Sequence, residues 1–212
     1  MVIQETKLKQ KVTKAGQHFI SSGYCIATSR LNGTPCGNRA HDKAVPYCCE
    51  HMLKGDPAFR VVNHPRAGKI LVAARDLPAG YRATLWGKLI REKDLPPKSL
   101  EWSFQVANKW YVDPTKSAGS LVQFCPCPGP SEVAAVTTSG EERRGKEFGS
   151  RSFMLNTGLP KGWQVTMQYG NNSKESNTFF EERGIARVDV GTACHPALRR
   201  VGAAPVRRKA TG

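Results

Sequence analysis

Residues 25–51 read CIATSRLNGTPCGNRAHDKAVPYCCEH, a stretch that holds four cysteines, the last two adjacent, and a histidine at its end. Ten residues separate Cys25 from Cys36, eleven separate Cys36 from Cys48, and two separate Cys48 from His51. Three thiolates and one imidazole form a complete tetrahedral ligand set for Zn²⁺, and a C-x-x-H turn can present two ligands to one ion. Gly37, directly after Cys36, lets the backbone bend so that amides face the sulfur. The stretch therefore predicts a structural zinc site, because four protein ligands leave no coordination position for chemistry.

Two alternatives to this ligand set remain open in the sequence. In the first, the four residues are ordinary buried side chains that bind no metal. In the second, Cys49 replaces Cys48 as ligand, which shortens the C-x-x-H spacing to the poorer C-x-H. The stretch also resembles a small zinc-knuckle family. The residues that match its pattern are Cys25, Ala27, Thr28, Gly33, Cys36, Tyr47, Cys48 and His51.

The charge of the chain is strongly positive. Its 212 residues carry a formal net charge of +15 with a sequence pI near 9.8, which predicts attraction to polyanions or acidic protein surfaces. Lysines crowd a basic N-terminal arm (1–22), and arginines crowd a basic C-terminal tail (191–212). These tails are either solubilising, disordered ends or contacts to nucleic acid or chromatin.

The cysteines and the hydropathy pattern indicate a cellular compartment. Seven cysteines are an odd number, and the first residues contain no apolar signal-peptide region. No run approaches the ~18 apolar residues of a membrane helix. The sequence therefore predicts an intracellular, nuclear protein with no membrane segment, whose thiols bind metal rather than form disulfides.

The sequence after the knuckle predicts a mainly β domain that takes up about half of the whole chain. Apolar and β-branched runs alternate with Pro/Gly turns, and the predicted strands are 69–74, 81–90, 104–106, 109–113, 132–138, 153–155 and 164–169. The best helix prediction is 91–100, limited by two consecutive prolines. The charged segment 140–150 predicts a surface loop.

Four segments of this β region carry a recognisable order of motifs. They read ARDLPAG (74–80), LWGKLI (85–90), YVDPTKSAGSLVQF (111–124) and LPKGWQVTMQYG (159–170). In the same order they resemble the A-x-R-D-I-x-A-G, Y-x-G-E-hydrophobic, I-D-x-x-x-x-G-N-x-A-R-F and I-x-x-G-E-E-L-T-x-D-Y-G motifs of the SET domain, the fold of most protein-lysine methyltransferases. The predicted fold class is therefore mainly β: a SET-like knotted fold of short strands, preceded by the zinc knuckle.

The resemblance implies a site in which S-adenosylmethionine and a substrate lysine enter from opposite faces and meet in a narrow channel. It places Tyr169 at the position of the catalytic tyrosine, although a strand-end tyrosine with its ring in the core fits the same pattern. The residues that it assigns to cofactor binding are Gly68, Lys69, Ile70, Phe124, Cys125 and Cys127.

The chain departs from the SET pattern in both cofactor motifs. The GxG-type segment reads Gly68-Lys69-Ile70, so the second glycine is absent. A Cys-Pro-Cys-Pro segment (125–128) replaces the Asn-His pair that holds the cofactor, and rigid prolines cannot supply the same amide contacts. Gln168 stands where the family has an aspartate before the tyrosine.

Two further sites are predicted with alternatives open. Aromatic side chains could line a methyl-lysine site or simply fill the core, and they are Trp110, Tyr111, Trp163, Phe179 and Phe180. A second metal site could use the ligand types at Cys125, Cys127, Cys194 and His195, although adjacent residues such as the last two seldom point at one ion.

The predicted organisation is a basic arm (1–22), a zinc knuckle (23–55), a SET-like domain (59–190) and a basic tail (191–212). One hypothesis is an S-adenosylmethionine-dependent protein-lysine methyltransferase that acts on a basic or chromatin-type protein. The alternative is a catalytically inactive SET-like zinc-binding module that binds nucleic acid or chromatin through its basic tails, or is a structural subunit of a larger assembly. Binding of S-adenosylmethionine separates the two, and affinity that falls steeply with salt would identify nucleic-acid binding.

Overall fold

The structure, a computed structural model, describes residues 23–64, 67–99, 102–169 and 173–184. The predicted basic arm and basic tail lie outside the described residues, as do Cys194 and His195 of the predicted second metal site. Within the described ranges, neither helix has the length and apolar character needed to cross a bilayer.

β-Strands make up most of the regular structure in the described residues. The strands are β1 (Phe59–His64), β2 (Gly68–Ala73), β3 (Arg82–Arg91), β4 (Phe104–Ala107), β5 (Trp110–Asp113), β6 (Val136–Arg144) and β7 (Phe148–Leu155). The helices are α1 (Cys49–Lys54) and α2 (Ser173–Glu181), and 3₁₀ turns cover Glu92–Asp94, Pro97–Ser99 and Leu121–Phe124. The predicted mainly β class with a small knuckle in front of it is confirmed, while the predicted knot stays a prediction.

The strands form two antiparallel sheets. β1 and β2 make a hairpin that pairs Phe59 with Ala73 at its open end, and a five-stranded sheet has the order β4-β5-β3-β7-β6. The last four residues of β2 are all fully buried or nearly so. Since side chains alternate between the faces of a strand, this burial means that both faces are covered, and the free edge pairs with the segment after β7: the Val165 amide donates to the Leu71 carbonyl at 2.9 Å. Such double cover explains the continuous apolar run in the sequence.

The large sheet is strongly curled. β4 and β6 lie at opposite ends of the strand order, yet Arg151 on β7 donates to the Gln105 carbonyl on β4 at 2.7 Å. The Arg144 guanidinium on β6 also lies 5.5 Å from the ring centroid of Trp110 on β5. The curl encloses the main core, which contains Leu71, Ala73, Leu77, Tyr81, Leu85, Val122, Cys125, Val136, Phe153, Leu155 and Val165.

The knuckle packs on the curled sheet through its own smaller core. Trp86 on β3 joins the buried knuckle residues, and its ring meets Phe148 edge to face with centroids 5.7 Å apart. Gly119 brings the loop before the 121–124 turn against the back of α1, where a Cβ would lie 2.3 Å from the Met52 carbonyl oxygen. The knuckle and the sheet are therefore in close contact.

Two predictions from the sequence are wrong, and one helix was not predicted. Segment 140–150 is not a loop: β6 extends to Arg144 and β7 begins at Phe148, because charged side chains can pair across strands, as Arg151 and Glu142 do at 2.6 Å. Segment 164–169 forms only isolated bridges, one from Gln164 to Val72 and one from Met167 to Val136. α2 was not predicted, since the sequence showed no clear helical periodicity after Tyr169.

Candidate functional site

The predicted zinc ligands come together in the knuckle. The ligand atoms of Cys25, Cys36, Cys48 and His51 all lie within 4.8 Å of one another. The Nδ1 atom of His51 is 3.4 Å from the Cys25 sulfur and 3.2 Å from the Cys48 sulfur, and the sulfurs of Cys36 and Cys48 are 3.9 Å apart. Tetrahedral Zn²⁺ with bonds of about 2.0–2.3 Å sets its ligand atoms roughly 3.5–3.8 Å apart, so this donor set fits the ion.

Local backbone geometry explains how a short sequence assembles these ligands. Gly37 takes a left-handed φ of 77°, and the bend allows the Asn38 backbone to hydrogen-bond the Cys36 sulfur. Cys48 precedes α1, and the first turn of that helix presents His51 beside it. The backbone at His51 in turn hydrogen-bonds the Cys48 sulfur. Hydrogen bonds of this kind stabilise thiolates bound to a metal.

The protonation of these ligands depends on burial. Burial raises the pKa of the Cys25 and Cys36 thiols, so both stay protonated unless a cation compensates their charge. Burial also raises the pKa of Cys48. Hydrogen bonds to its sulfur outweigh burial and hold that pKa below its ordinary value; they come from the His51 backbone and from the side chains of Cys25, Cys36 and Asn38. Burial lowers the pKa of His51 and favours the neutral imidazole that binds metals.

The structure decides between the two ligand sets that the sequence left open. The Cys49 side chain is exposed, and its sulfur lies 3.2 Å from Nδ1 of His41, away from the four-ligand cluster. Cys48 is buried within the cluster. Among the described residues, Cys125 and Cys127 belong to no group of three or more metal-binding side chains.

A buried polar chain, which the sequence analysis did not find, links the knuckle to the sheet. Arg75 donates to the Thr28 hydroxyl at 2.6 Å, Thr28 lies 2.8 Å from the Tyr81 hydroxyl, and Tyr81 donates to the Asp56 carboxylate at 2.9 Å. The Ala58 amide also donates to Asp56 at 3.0 Å. Burial raises the pKa of Asp56 to about 6, although these donors and the nearby guanidinium oppose the shift. No single local motif unites these residues, because they are far apart in the chain.

Tyr169 lies beside the segment that the resemblance assigns to the cofactor. Its hydroxyl donates to the carbonyl oxygen of Cys125 at 3.0 Å. The Met167 amide donates to the Pro126 carbonyl at 2.9 Å, so the chain before Tyr169 follows the same segment. Burial raises the pKa of Tyr169, with the nearby thiols of Cys125 and Cys127 adding to the effect. The phenol is therefore a hydrogen-bond donor at neutral pH rather than a base.

Two of the predicted aromatic residues pack against Tyr169. The Phe179 ring meets it edge to face at 5.5 Å, and the Phe180 ring stacks on it at 5.9 Å. Both come from α2, which is held in place by Ser176: its hydroxyl bonds the Tyr169 carbonyl and accepts a hydrogen bond from Gln168 at 2.6 Å.

The other predicted aromatic residues have different surroundings. Trp163 packs against the main core. The Trp110 ring contacts the guanidinium groups of Arg91 and Arg144. Phe179 and Phe180 are thus the members of the predicted aromatic set that the structure places against Tyr169.

The residues predicted to hold the cofactor occupy two neighbouring segments. Gly68, Lys69 and Ile70 open β2, where Gly68 has a left-handed φ of 68° and a Cβ would meet no atom within 4 Å. The other segment holds Phe124, partly buried, and the buried Cys125 and Cys127. β2 contacts the 3₁₀ turn that ends at Phe124. The backbone at Gly68 is therefore open to solvent, whereas the thiols of Cys125 and Cys127 are buried.

Comparisons with known proteins give similarity in structure alone. No protein-family profile matches the chain, and no curated protein matches its sequence. A candidate histone methyltransferase of Plasmodium falciparum aligns with 55% of this chain and 96% of its own, at 9% identity and a TM-score of 0.43. KRYPTONITE, solved in complex with mCHG DNA and SAH, aligns with 62% of this chain and 27% of its own, at 15% identity and a TM-score of 0.43.

A third similar structure is a humanized mutant of the Chaetomium thermophilum Polycomb Repressive Complex 2 bound to the inhibitor GSK126. The alignment covers 54% of this chain and 15% of that chain, at 16% identity and a TM-score of 0.41. The three are SET-domain proteins, which is the likeness that the sequence motifs predict.

Proposed function

We propose that this chain is an S-adenosylmethionine-dependent protein-lysine methyltransferase whose site lies where Tyr169 meets residues 124–127. The hydrogen bond from Tyr169 to the Cys125 carbonyl supports this proposal most directly. It joins the residue that the SET resemblance assigns to catalysis and the segment that the resemblance assigns to the cofactor. The two are 44 positions apart in the sequence.

Tyr169 would position the substrate amine rather than deprotonate it. Its proton is engaged by the Cys125 carbonyl, so the lone pairs of its oxygen remain to accept an N–H from an incoming lysine. Its raised pKa keeps the hydroxyl protonated, and the proton lost by the substrate ammonium passes to water. Holding the nitrogen in line with the methyl donor is the main requirement of the reaction.

The cofactor would be held mainly by backbone groups. S-adenosylmethionine supplies the methyl group on a sulfonium centre. The open backbone at Gly68, with Lys69 and Ile70, would form one wall of its site, and Phe124, Cys125 and Cys127 would form the other. The absent Asn-His pair leaves this site with fewer side-chain contacts, so we expect weaker cofactor binding than in a SET domain that has the pair.

Zn²⁺ would have a structural role in this protein. Its four ligands fill a tetrahedral shell, and the knuckle that they close packs on β3 through Trp86. We infer a lysine-bearing chromatin protein as the substrate and the nucleus as the compartment. The net charge of +15 supports a polyanionic partner such as chromatin.

A transfer assay tests the proposal. The zinc-loaded protein is incubated with histone octamers and S-adenosylmethionine that carries a tritiated methyl group, and label on lysine is measured. We expect transfer by the wild type and its loss, by at least a hundredfold, in Tyr169→Phe. Tyr111→Phe serves as the matched control. Equal transfer by Tyr169→Phe would remove Tyr169 from the mechanism.

A further inference from the structure

A tryptophan in contact with two arginines lies where three strands of the curled sheet begin or end. Trp110 opens β5, and its ring centroid is 5.1 Å from the Arg91 guanidinium carbon and 5.5 Å from that of Arg144. Arg91 ends β3 and Arg144 ends β6, so the curl of the sheet brings the two cations to one ring. Both arginines are exposed, and Trp110 is partly exposed.

A groove beside this tryptophan is rich in positive charge. It is lined by Arg91, Glu92, Lys93, Asn108, Lys109 and Trp110. Together with Arg144, the groove presents four cationic side chains against one acidic side chain, that of Glu92. We call this set the Trp110 groove.

Lys109 holds an unusual backbone conformation in the groove. Its φ is 61°, and no other non-glycine residue in the described part of the chain has a positive φ. This conformation costs an L-residue with a Cβ about 1 kcal/mol or more, a cost that glycine would avoid. The turn is held by the Glu92 amide, which donates to the Lys109 carbonyl at 3.0 Å. A lysine at this strained position adds its charge to the mouth of the groove.

The geometry of the two arginines suits phosphate. A guanidinium that rests on an aromatic face keeps its N–H groups free to point outward, and its fork matches two phosphate oxygens. Because each carbon lies so close to the same ring, the two guanidinium carbons are at most about 11 Å apart. Lys93, Lys109 and Asn108 can contact further backbone groups of an extended polyanion.

We propose that the Trp110 groove binds the phosphodiester backbone of nucleic acid, an activity beyond methyl transfer. It differs from the predicted contact through the basic tails, because it lies on the folded domain and requires arginine rather than charge alone. Repeating phosphates can engage all four cations at once, whereas one isolated phosphate can engage only one or two. Binding does not depend on S-adenosylmethionine.

A charge-neutral pair of substitutions tests the proposal in the full, zinc-loaded chain. The affinity for a fluorescein-labelled duplex DNA of about 20 base pairs is measured by anisotropy over a range of salt concentrations. Arg91→Lys with Arg144→Lys keeps the net charge but removes both forks, and we expect affinity to fall about tenfold. Arg91→Ala with Arg144→Ala should also lower the slope of log K against log salt by about 2.

A matched pair elsewhere on the domain controls for charge. Lys116→Ala with Lys161→Ala removes two exposed positive charges from loops outside the groove, and we expect affinity to change less than threefold. Melting temperature and zinc content verify that each variant folds. The proposal is wrong if the double variant Arg91→Lys, Arg144→Lys binds like the wild type while the two double alanine variants, at the arginines and at the control lysines, weaken binding equally. Net charge and the tails would then account for binding. The proposal is also wrong if polyglutamate of equal charge displaces the DNA as well as unlabelled DNA does.

Discussion

The Tyr169 hydroxyl donates to the Cys125 carbonyl oxygen at 3.0 Å and so joins the end of the β domain to its Cys-Pro-Cys-Pro segment. α2 covers this junction, with Phe180 stacked on the Tyr169 ring. The bond satisfies a carbonyl in a segment where two prolines supply no amide hydrogens. The same bond fixes the orientation of the phenol, so Tyr169 has a structural role whatever its part in catalysis.

The structural role of this bond predicts a modest loss of stability in Tyr169→Phe. Removal of the hydroxyl leaves the Cys125 carbonyl without its partner and should lower the free energy of unfolding by about 1 kcal/mol. Tyr111→Phe is the control, since its hydroxyl makes no hydrogen bond within the described part of the chain. Urea unfolding of the two variants measures the difference. Equal stability of both variants would contradict the observed bond.

The ligand cluster predicts that Cys36→Ser releases the metal. Three ligands bind Zn²⁺ far more weakly than four, and we expect metal binding to contribute to the stability of the knuckle. Zinc content should fall well below one ion per chain, and the melting temperature should drop. Cys49→Ser is the matched control, because the Cys49 sulfur lies outside the cluster, and it should retain its zinc. Unchanged zinc content in Cys36→Ser would contradict the assignment.

The close contact between the loop at Gly119 and α1 predicts that Gly119→Ala strongly lowers stability. The added methyl would lie 2.3 Å from the Met52 carbonyl oxygen and 2.6 Å from that of His51. Because backbone must move, we expect a loss of about 2–3 kcal/mol and weaker zinc retention. Gly158→Ala adds a methyl no nearer than 3.5 Å to any atom and should be nearly neutral. Chemical unfolding with a zinc-release assay compares the two, and similar losses in both would contradict the predicted clash.

Asp56 predicts a specific dependence of stability on pH. Its pKa is about 6 in the folded protein and 3.8 for the ordinary carboxyl, so the folded state binds the proton more tightly. The stability that this proton contributes is present below pH 4 and is lost as pH rises through 6, a change of about 3 kcal/mol.

Asp56→Asn cannot ionise and should remove this component. The difference in unfolding free energy between variant and wild type should therefore shift by about 3 kcal/mol in favour of the variant between pH 4 and pH 7. Burial raises the pKa of Tyr81 beside Asp56, so this phenol stays protonated between pH 4 and pH 7, and titrating groups remote from Asp56 cancel in the difference. A difference that stays constant with pH would show that Asp56 titrates normally.

The sequence predicted that Cys25, Cys36, Cys48 and His51 lie together because the signal is local. Ligand type and spacing within 27 residues indicated the cluster that the structure contains, and its binding of Zn²⁺ stays a prediction. It predicted β2 and the β4–β5 hairpin for a similar reason, since apolar runs and turns are short-range signals. The choice of Cys48 over Cys49 followed from a spacing rule and agrees with the burial of the two thiols.

Long-range contacts explain what the sequence did not predict. β6 and β7 continue through a charged segment because their partners across the sheet stabilise them, and pairing of this kind leaves no local pattern. The chain from Arg75 to Asp56 unites residues from the knuckle and the sheet, and the Trp110 groove exists only because the sheet curls. The catalytic and cofactor roles of Tyr169 and its neighbours stay predictions.

Calorimetric titration of the zinc-loaded protein with S-adenosylmethionine, with S-adenosylhomocysteine alongside, tests the proposed function most directly. We predict saturable binding of both ligands at micromolar to sub-millimolar concentration, corresponding to roughly 5–8 kcal/mol of binding free energy. A Gly68→Val variant, which adds a side chain at the open backbone that begins β2, should weaken the binding of both ligands. No heat and no rise in melting temperature at millimolar ligand would contradict a cofactor site and leave an inactive SET-like module.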